Sequence, residues 1–235
     1  MPLQDHFHPP LAPHRHWHSF HNAWATFIAS DLNRVLPEGW FAEPNVQFGI
    51  EIDVAAFDER EEKDTVTSPP LSVWRPPSPV QTIPFPLVTD SVEVNIYDGT
   101  AGPILAGVIE LLSLANKDRP SSREVFVSKC ETYLQQGAGL IMVDIVTERS
   151  GNLHRELLAR LNAVTSLNSN LYTAAYHLIE EGGQPALQIW EEALAIGSPL
   201  PAMPLWLKGG LCLPVDLDAT CQRTCLEQRI KFNGA

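Results

Sequence analysis

The chain has no run of apolar residues near the ~18–20 that a membrane-crossing helix needs, so a membrane partner is not expected. Met1 to Pro10 shows no basic stretch followed by an apolar run, so no secretory leader is expected either. Cysteine is scarce. Cys130, Cys212, Cys221 and Cys225 are too few for a disulfide framework, and a reducing cytoplasm is the expected setting. Basic residues are outnumbered, 16 against 28 acidic ones, for a net charge of −12. General nucleic-acid binders draw affinity from neutralised phosphates, so any such contact here must come from a local basic patch. No GxGxxG, P-loop or GxSxG segment occurs, which leaves nucleotide-cradle and serine-hydrolase readings without their motifs.

What is present suits a globular α/β chain. The 235 residues are 44% hydrophobic, enough for one large domain with a substantial core. Residues 1–16, rich in His and Pro, read as an ordered arm or a frayed end. Apolar residues at helical spacing (Trp17, Phe20, Trp24, Phe27, Ile28, Leu32 and Val35) predict a helix that ends at Pro37-Glu38-Gly39. Residues 46–57 alternate as one strand, with Asp53 on its polar face. Residues 58–88 begin with charge and become Pro-rich, and read as a surface insertion. Strands at 92–97 and 104–113 flank the turn Asp98-Gly99-Thr100-Ala101-Gly102. Ser121 and Glu124 suggest a capping box for a helix to about 136, followed by a buried strand at 140–146. Further along, 153–161 reads as a helix. Strands at 171–179 and 186–194 are joined by Glu181-Gly182-Gly183, a short strand is expected at 205–207, and a last helix is capped by Asp216 or Asp218.

The chemistry concentrates in the middle. Metal-dependent phosphodiester hydrolysis needs acidic oxygens for Mg²⁺ and a cation beside the attacking water or scissile phosphate. One carboxylate on each of two neighbouring strands, with a Lys on the same side, is an economical way to provide them. Asp53 lies on a strand, and Glu110 interrupts the apolar run Val108-Ile109-Glu110-Leu111-Leu112, where an unpartnered carboxylate is costly. Lys129, four residues before Tyr133 on the following helix, flanks its buried stripe. Each has a structural alternative: Asp53 as a solvated strand residue, Glu110 in an ion pair, Lys129 as a surface cation. Asn116 and Lys117 fit either a helix-capping loop or a phosphate contact. Asp144 suits an ion pair or a cap better than catalysis. His14, His18 and His21 have metal-ligand spacing on a helix, but Pro9, Pro10 and Pro13 disturb its start. Cys221 and Cys225 read as buried small residues.

The order Ile52-Asp53-Val54, Val108-Ile109-Glu110-Leu111-Leu112-Ser113, Lys129-x3-Tyr133, Met142-Val143-Asp144 resembles the Uma-type restriction-endonuclease-like family of the PD-(D/E)XK nuclease-like superfamily. A bacterial domain-of-unknown-function family is similar over nearly the whole chain. That similarity rests on Phe20-His21-Asn22-Ala23-Trp24, Ile109-Glu110-Leu111-Leu112-Ser113-x-x-Asn116-Lys117, Lys129-x3-Tyr133-Leu134, Val143-Asp144-Ile145 and Leu200-Pro201-x-x-Pro204-Leu205. The resemblance implies a restriction-endonuclease-like α/β fold, a mixed central sheet flanked by helices. It also implies a Mg²⁺ (or Mn²⁺) site of Asp53, Glu110 and the Leu111 carbonyl, with Lys129 at the water. Asn116, Lys117, Arg119 and Arg123 would face a DNA or RNA substrate. The sequence departs from the pattern in three places: Leu112 occupies the usual strand Lys position, Ile52 replaces the Pro before Asp53, and the insertion 58–86 separates Asp53 from the hairpin by more than the compact motif would. A homodimer is expected by analogy. A catalytically silent binding or assembly module on the same fold is the competing expectation, favoured by the acidic composition.

Overall fold

The computed structural model describes residues 2–12, 14–48, 50–58, 74–85 and 104–231. Over these, the architecture is mixed α/β: a mostly antiparallel seven-stranded sheet, a separate two-stranded sheet and five helices. The strands are β1 (Trp40–Phe48), β2 (Ile50–Asp58), β3 (Gln81–Pro84), β4 (Ile104–Leu111), β5 (Gly139–Asp144), β6 (Tyr172–Glu181), β7 (Gln184–Ala193), β8 (Ala202–Trp206) and β9 (Cys212–Asp216). The helices are α1 (Trp17–Leu32), α2 (Leu114–Lys117), α3 (Pro120–Gln135), α4 (Leu153–Arg160) and α5 (Leu217–Glu227). The large sheet runs β1-β2-β4-β5-β6-β7-β3, with β4 and β5 its parallel pair.

Two cores lie on opposite faces of this sheet. Val54, Ile109, Leu111, Ile141 and Val143 join α1, α5 and the β8–β9 hairpin. Ala55, Val108, Leu112, Leu140 and Met142 join α3 and α4. The split follows from strand periodicity, which sends successive side chains to opposite faces. Burial on both faces explains why β4 and β5 carry near-continuous apolar runs. β8 lies so close to β5 that a Cβ on Gly139 would sit 1.7 Å from the Trp206 carbonyl oxygen. Across the other face, His154 of α4 bonds Tyr176 Oη at 2.5 Å and Glu191 Oε2 at 2.6 Å, which ties the helix to β6 and β7.

Several expectations are corrected. The strand expected at 46–57 is a hairpin: β1 pairs antiparallel with β2 from Trp40↔Asp58 to Phe48↔Ile50. The edge position of β1 lets it carry Pro44, which reads as a loop signal in sequence. The 58–88 segment is not wholly a surface excursion, since Gln81–Pro84 pairs with β7 as an edge strand. The capping box belongs to α2, not α3: Asn116 Oδ1 accepts from the Ser113 N–H and hydroxyl, both at 2.8 Å. α3 instead starts with Pro120, whose fixed φ suits a first turn and whose missing N–H loses nothing there. β9, a strand of five residues whose burial alternates, is not among the expected strands. The β6–β7 hairpin and the Asp216 cap on α5 fall where the sequence placed them. The strand expected at 92–97 lies outside the described residues. No helix among the described residues is long and apolar enough to cross a membrane.

The Gly139 contact is directly testable. Gly139→Ala forces a methyl against backbone and not against a flexible side chain, so urea unfolding should show a loss of at least the ~1–3 kcal/mol typical of an overpacked core. Gly182→Ala, in an open turn, would report only its backbone strain.

Candidate metal centre

The centre forms at the carboxyl end of β4, where strand register sets one residue beside the next. Val54 pairs with Ile109, which brings Asp53 alongside Glu110, and Leu111 pairs with Val143 of β5. Asp53 and Glu110 lie on the face covered by α3. The Leu111 N–H donates to Asp53 Oδ2 at 2.7 Å, which fixes that carboxylate against the backbone of the next strand.

α3 supplies the first cation. Lys129 Nζ donates to Glu110 Oε2 at 2.8 Å, and one turn on the Tyr133 hydroxyl donates to Oε1 at 3.3 Å. The i,i+4 spacing lets both reach one carboxylate. The Glu110 side chain is only 3% exposed. Burial pushes its pKa up to about 7; the Lys129 charge works against that rise and the nearby Asp53 adds to it. For Lys129, burial acts to lower the pKa, but Glu110 outweighs it and holds the ammonium charged.

α1 supplies the second cation, which sequence reasoning did not assign to the site. His21 Nε2 donates to the Leu111 carbonyl at 2.8 Å and lies 3.4 Å from Asp53 Oδ1. Burial would lower its pKa, but the Asp53 carboxylate and the Leu111 carbonyl outweigh this and raise it to about 9. The imidazolium thus bridges two of the three oxygens expected to hold a metal. The available signal was Phe20-His21-Asn22-Ala23-Trp24, where a His stands among the buried positions of α1.

The remaining expected residues divide. Lys117 does not face a substrate. Its ammonium is wholly buried against Asp144 Oδ2 at 2.8 Å, because α2 turns its last residue inward beside the end of β5. Burial raises Asp144 to about 6 despite that cation. Asn116 is held by its capping bonds to Ser113. Arg123 Nε donates to Glu156 of α4 at 2.8 Å, whereas Arg119 is exposed beside Asp118.

The donors suit a hard divalent cation in kind: carboxylates and a backbone carbonyl. Among the described residues no group of three or more His, Cys, Asp or Glu side chains is arranged to hold a metal ion. Here the oxygens face His21, Lys129, Tyr133 and the Leu111 N–H, so metal entry requires displacing at least one cation. A surface groove of about 620 Å³ lined by Ile83, Glu131, Arg160 and Val164 includes none of these residues. No protein-family model, curated protein or solved structure matches the chain.

Two predictions follow from the ion pairs. His21 is raised from 6.5 to about 9, so it stabilises the metal-free protein fully below pH 6.5, and that contribution is lost as pH rises through 9. The loss is at most about 3 kcal/mol. Urea midpoints should fall over this window in the wild type, and the fall should flatten in His21→Gln. The second concerns the buried Lys117–Asp144 pair. Lys117→Met leaves Asp144 buried without its cation, for a loss of about 3–5 kcal/mol in the same assay.

Proposed function

We propose that the chain is a metal-dependent phosphodiesterase of the restriction-endonuclease-like kind. The observation that carries this reading is the convergence of Asp53, Glu110, the Leu111 carbonyl and Lys129 at the end of two adjacent strands. The PD-(D/E)XK resemblance supplies the same four groups, with the Lys moved from the strand to the helix. A Mg²⁺ or Mn²⁺ held by Asp53, Glu110 and the Leu111 carbonyl would neutralise phosphate charge and lower the pKa of a water.

The protein's own residues do the rest. Asp53 is oriented by the Leu111 N–H, so its second oxygen points toward the space His21 occupies. Glu110 is oriented by Tyr133, which keeps one oxygen in place when Lys129 turns away. Lys129, released from Glu110, carries a fixed positive charge to the attacking water or the phosphate oxygens. His21 would leave its bridging position and offer its ring N–H as a second donor to the phosphate. Arg119 is the one expected basic contact that remains exposed, and it supplies local positive charge in an acidic chain. The reading extends to DNA or RNA as substrate. The competing reading, a silent assembly module, is favoured by the net charge of −12 and by Leu112 at the usual strand Lys position.

Calorimetric titration with Mn²⁺ separates the two. Binding to wild type with at least tenfold weaker binding to Asp53→Ala and Glu110→Ala supports the enzyme; no heat in wild type contradicts it. Lys129→Ala should keep metal binding and lose ~10²-fold or more of cleavage of a single-stranded or duplex oligonucleotide.

A further inference from the structure

The candidate centre is closed. Side-chain exposure is 3% at Glu110, 10% at His21 and 15% at both Asp53 and Lys129, and a polymeric phosphodiester cannot reach carboxylates so covered. What crosses this end of the sheet is the N-terminal arm. Leu3 packs in the core on the α1 face, Phe7 in the core on the α3 face, and Leu11 again on the α1 face. The arm therefore passes over the sheet end, where β4 and β5 finish side by side. We propose that residues 2–12 are a strap that closes the candidate centre, orients His21 through Trp17, and lifts to admit substrate.

Three contacts hold the strap. Leu3 exchanges backbone hydrogen bonds with the loop before β8, its N–H to the Ser198 carbonyl at 2.7 Å and the Gly197 N–H to its carbonyl at 2.9 Å. Thr147, three residues beyond β5, donates its hydroxyl to Asp5 Oδ1 at 2.7 Å, and His8 Nδ1 lies 2.9 Å from Asp5 Oδ2. Aromatic rings form the third. His6 lies 3.9 Å from Phe20 and Phe7 lies 4.8 Å from Trp17, ring centre to ring centre. Trp17 packs against both cores, and its ring meets that of His21 edge-on at 5.5 Å. A displacement of the strap thus passes through Trp17 to the imidazole that bridges Asp53 and Leu111.

The docked strap is also incompletely satisfied. Gln4 Nε2, His6 Nε2 and Trp17 Nε1 are buried with no hydrogen-bond partner among the described residues. A buried polar group without a partner disfavours the state that buries it. These three lie in the strap or directly under it, whereas Leu3, Phe7 and Leu11 favour docking. Opposed terms of this kind suit a segment that opens and recloses more readily than the core it covers. The inference uses the metal-centre reading for what is covered, and not for the motion itself.

The test is hydrogen exchange together with acylation of lysines in the full-length protein, read by mass spectrometry. Asp5→Ala with Thr147→Val removes the anchor beside β5 and touches none of the residues placed in the centre. Exchange in residues 2–12 should rise about tenfold. Acylation of Lys129 and exchange at residues 20–22 should rise with it by at least fivefold. If the strap loosens while Lys129 reacts at its wild-type rate, the proposal is overturned. If the double variant stays docked, a chain lacking residues 2–8 is read in the same way. Loss of its fold by circular dichroism would make the arm part of the core and overturn the strap equally. Mn²⁺ calorimetry on the same proteins keeps the two readings apart: no metal binding in any of them removes the metal centre, while Lys129 reactivity still decides the strap.

Discussion

A carboxylate placed inside an apolar strand needs a partner, and Glu110 imposes this requirement at the middle of the sheet. Its strand lies between β2 and β5 and its side chain lies under α3, only 3% exposed to water. Lys129 and Tyr133 meet the requirement from one helix, and that fixes the rotation of α3 about its axis. The rest of the α3 face then follows, with Phe126, Val127, Cys130 and Leu134 buried against the sheet. A structural ion pair alone would rarely be worth this arrangement, since a buried pair often does no better than a well-packed apolar one. The neighbouring Asp53 adds to the electrostatic cost at Glu110.

The second cation resolves that cost. Two carboxylates, Asp53 and Glu110, face two cations, His21 and Lys129, so the centre is close to neutral when each is charged. His21 reaches it from α1, on the opposite side of the sheet, by way of the buried Leu111 carbonyl at the end of β4. Neutrality of this kind is exchangeable: one divalent ion can replace both side-chain cations without leaving buried charge uncompensated. Its entry would free Lys129 and His21 to act on substrate. The proposed strap would have the same logic in steric form, covering the groups that would act on a phosphate.

The sequence revealed this unevenly, and the reasons are physical. Glu110 stood out because a charge breaks an otherwise apolar run, a local signal that needs no tertiary knowledge. Lys129 and Tyr133 stood out through helical spacing. The β6–β7 hairpin was legible from Gly182-Gly183, both with positive φ. His21 was not assigned, although it sat in a quoted motif, because its partners Asp53 and Leu111 are far along the chain and only the fold joins them. Lys117 misled for the complementary reason. A Lys in a polar loop reads as exposed, and its burial depends on Asp144, which β5 carries to the same spot. β1 was not expected; it carries Pro44, which the edge of a sheet tolerates.

The central claim is that the oxygens around His21 form a metal site. Anomalous scattering from a crystal equilibrated with Mn²⁺ tests it most directly. The account predicts one strong peak about 2.1 Å from an Asp53 oxygen and the Leu111 carbonyl, with His21 displaced from its bridging position and Glu110 turned from Lys129 toward the ion. An empty map with His21 still bonded to Leu111 and Lys129 still bonded to Glu110 would contradict it and leave a closed ion-pair network in place of an active centre.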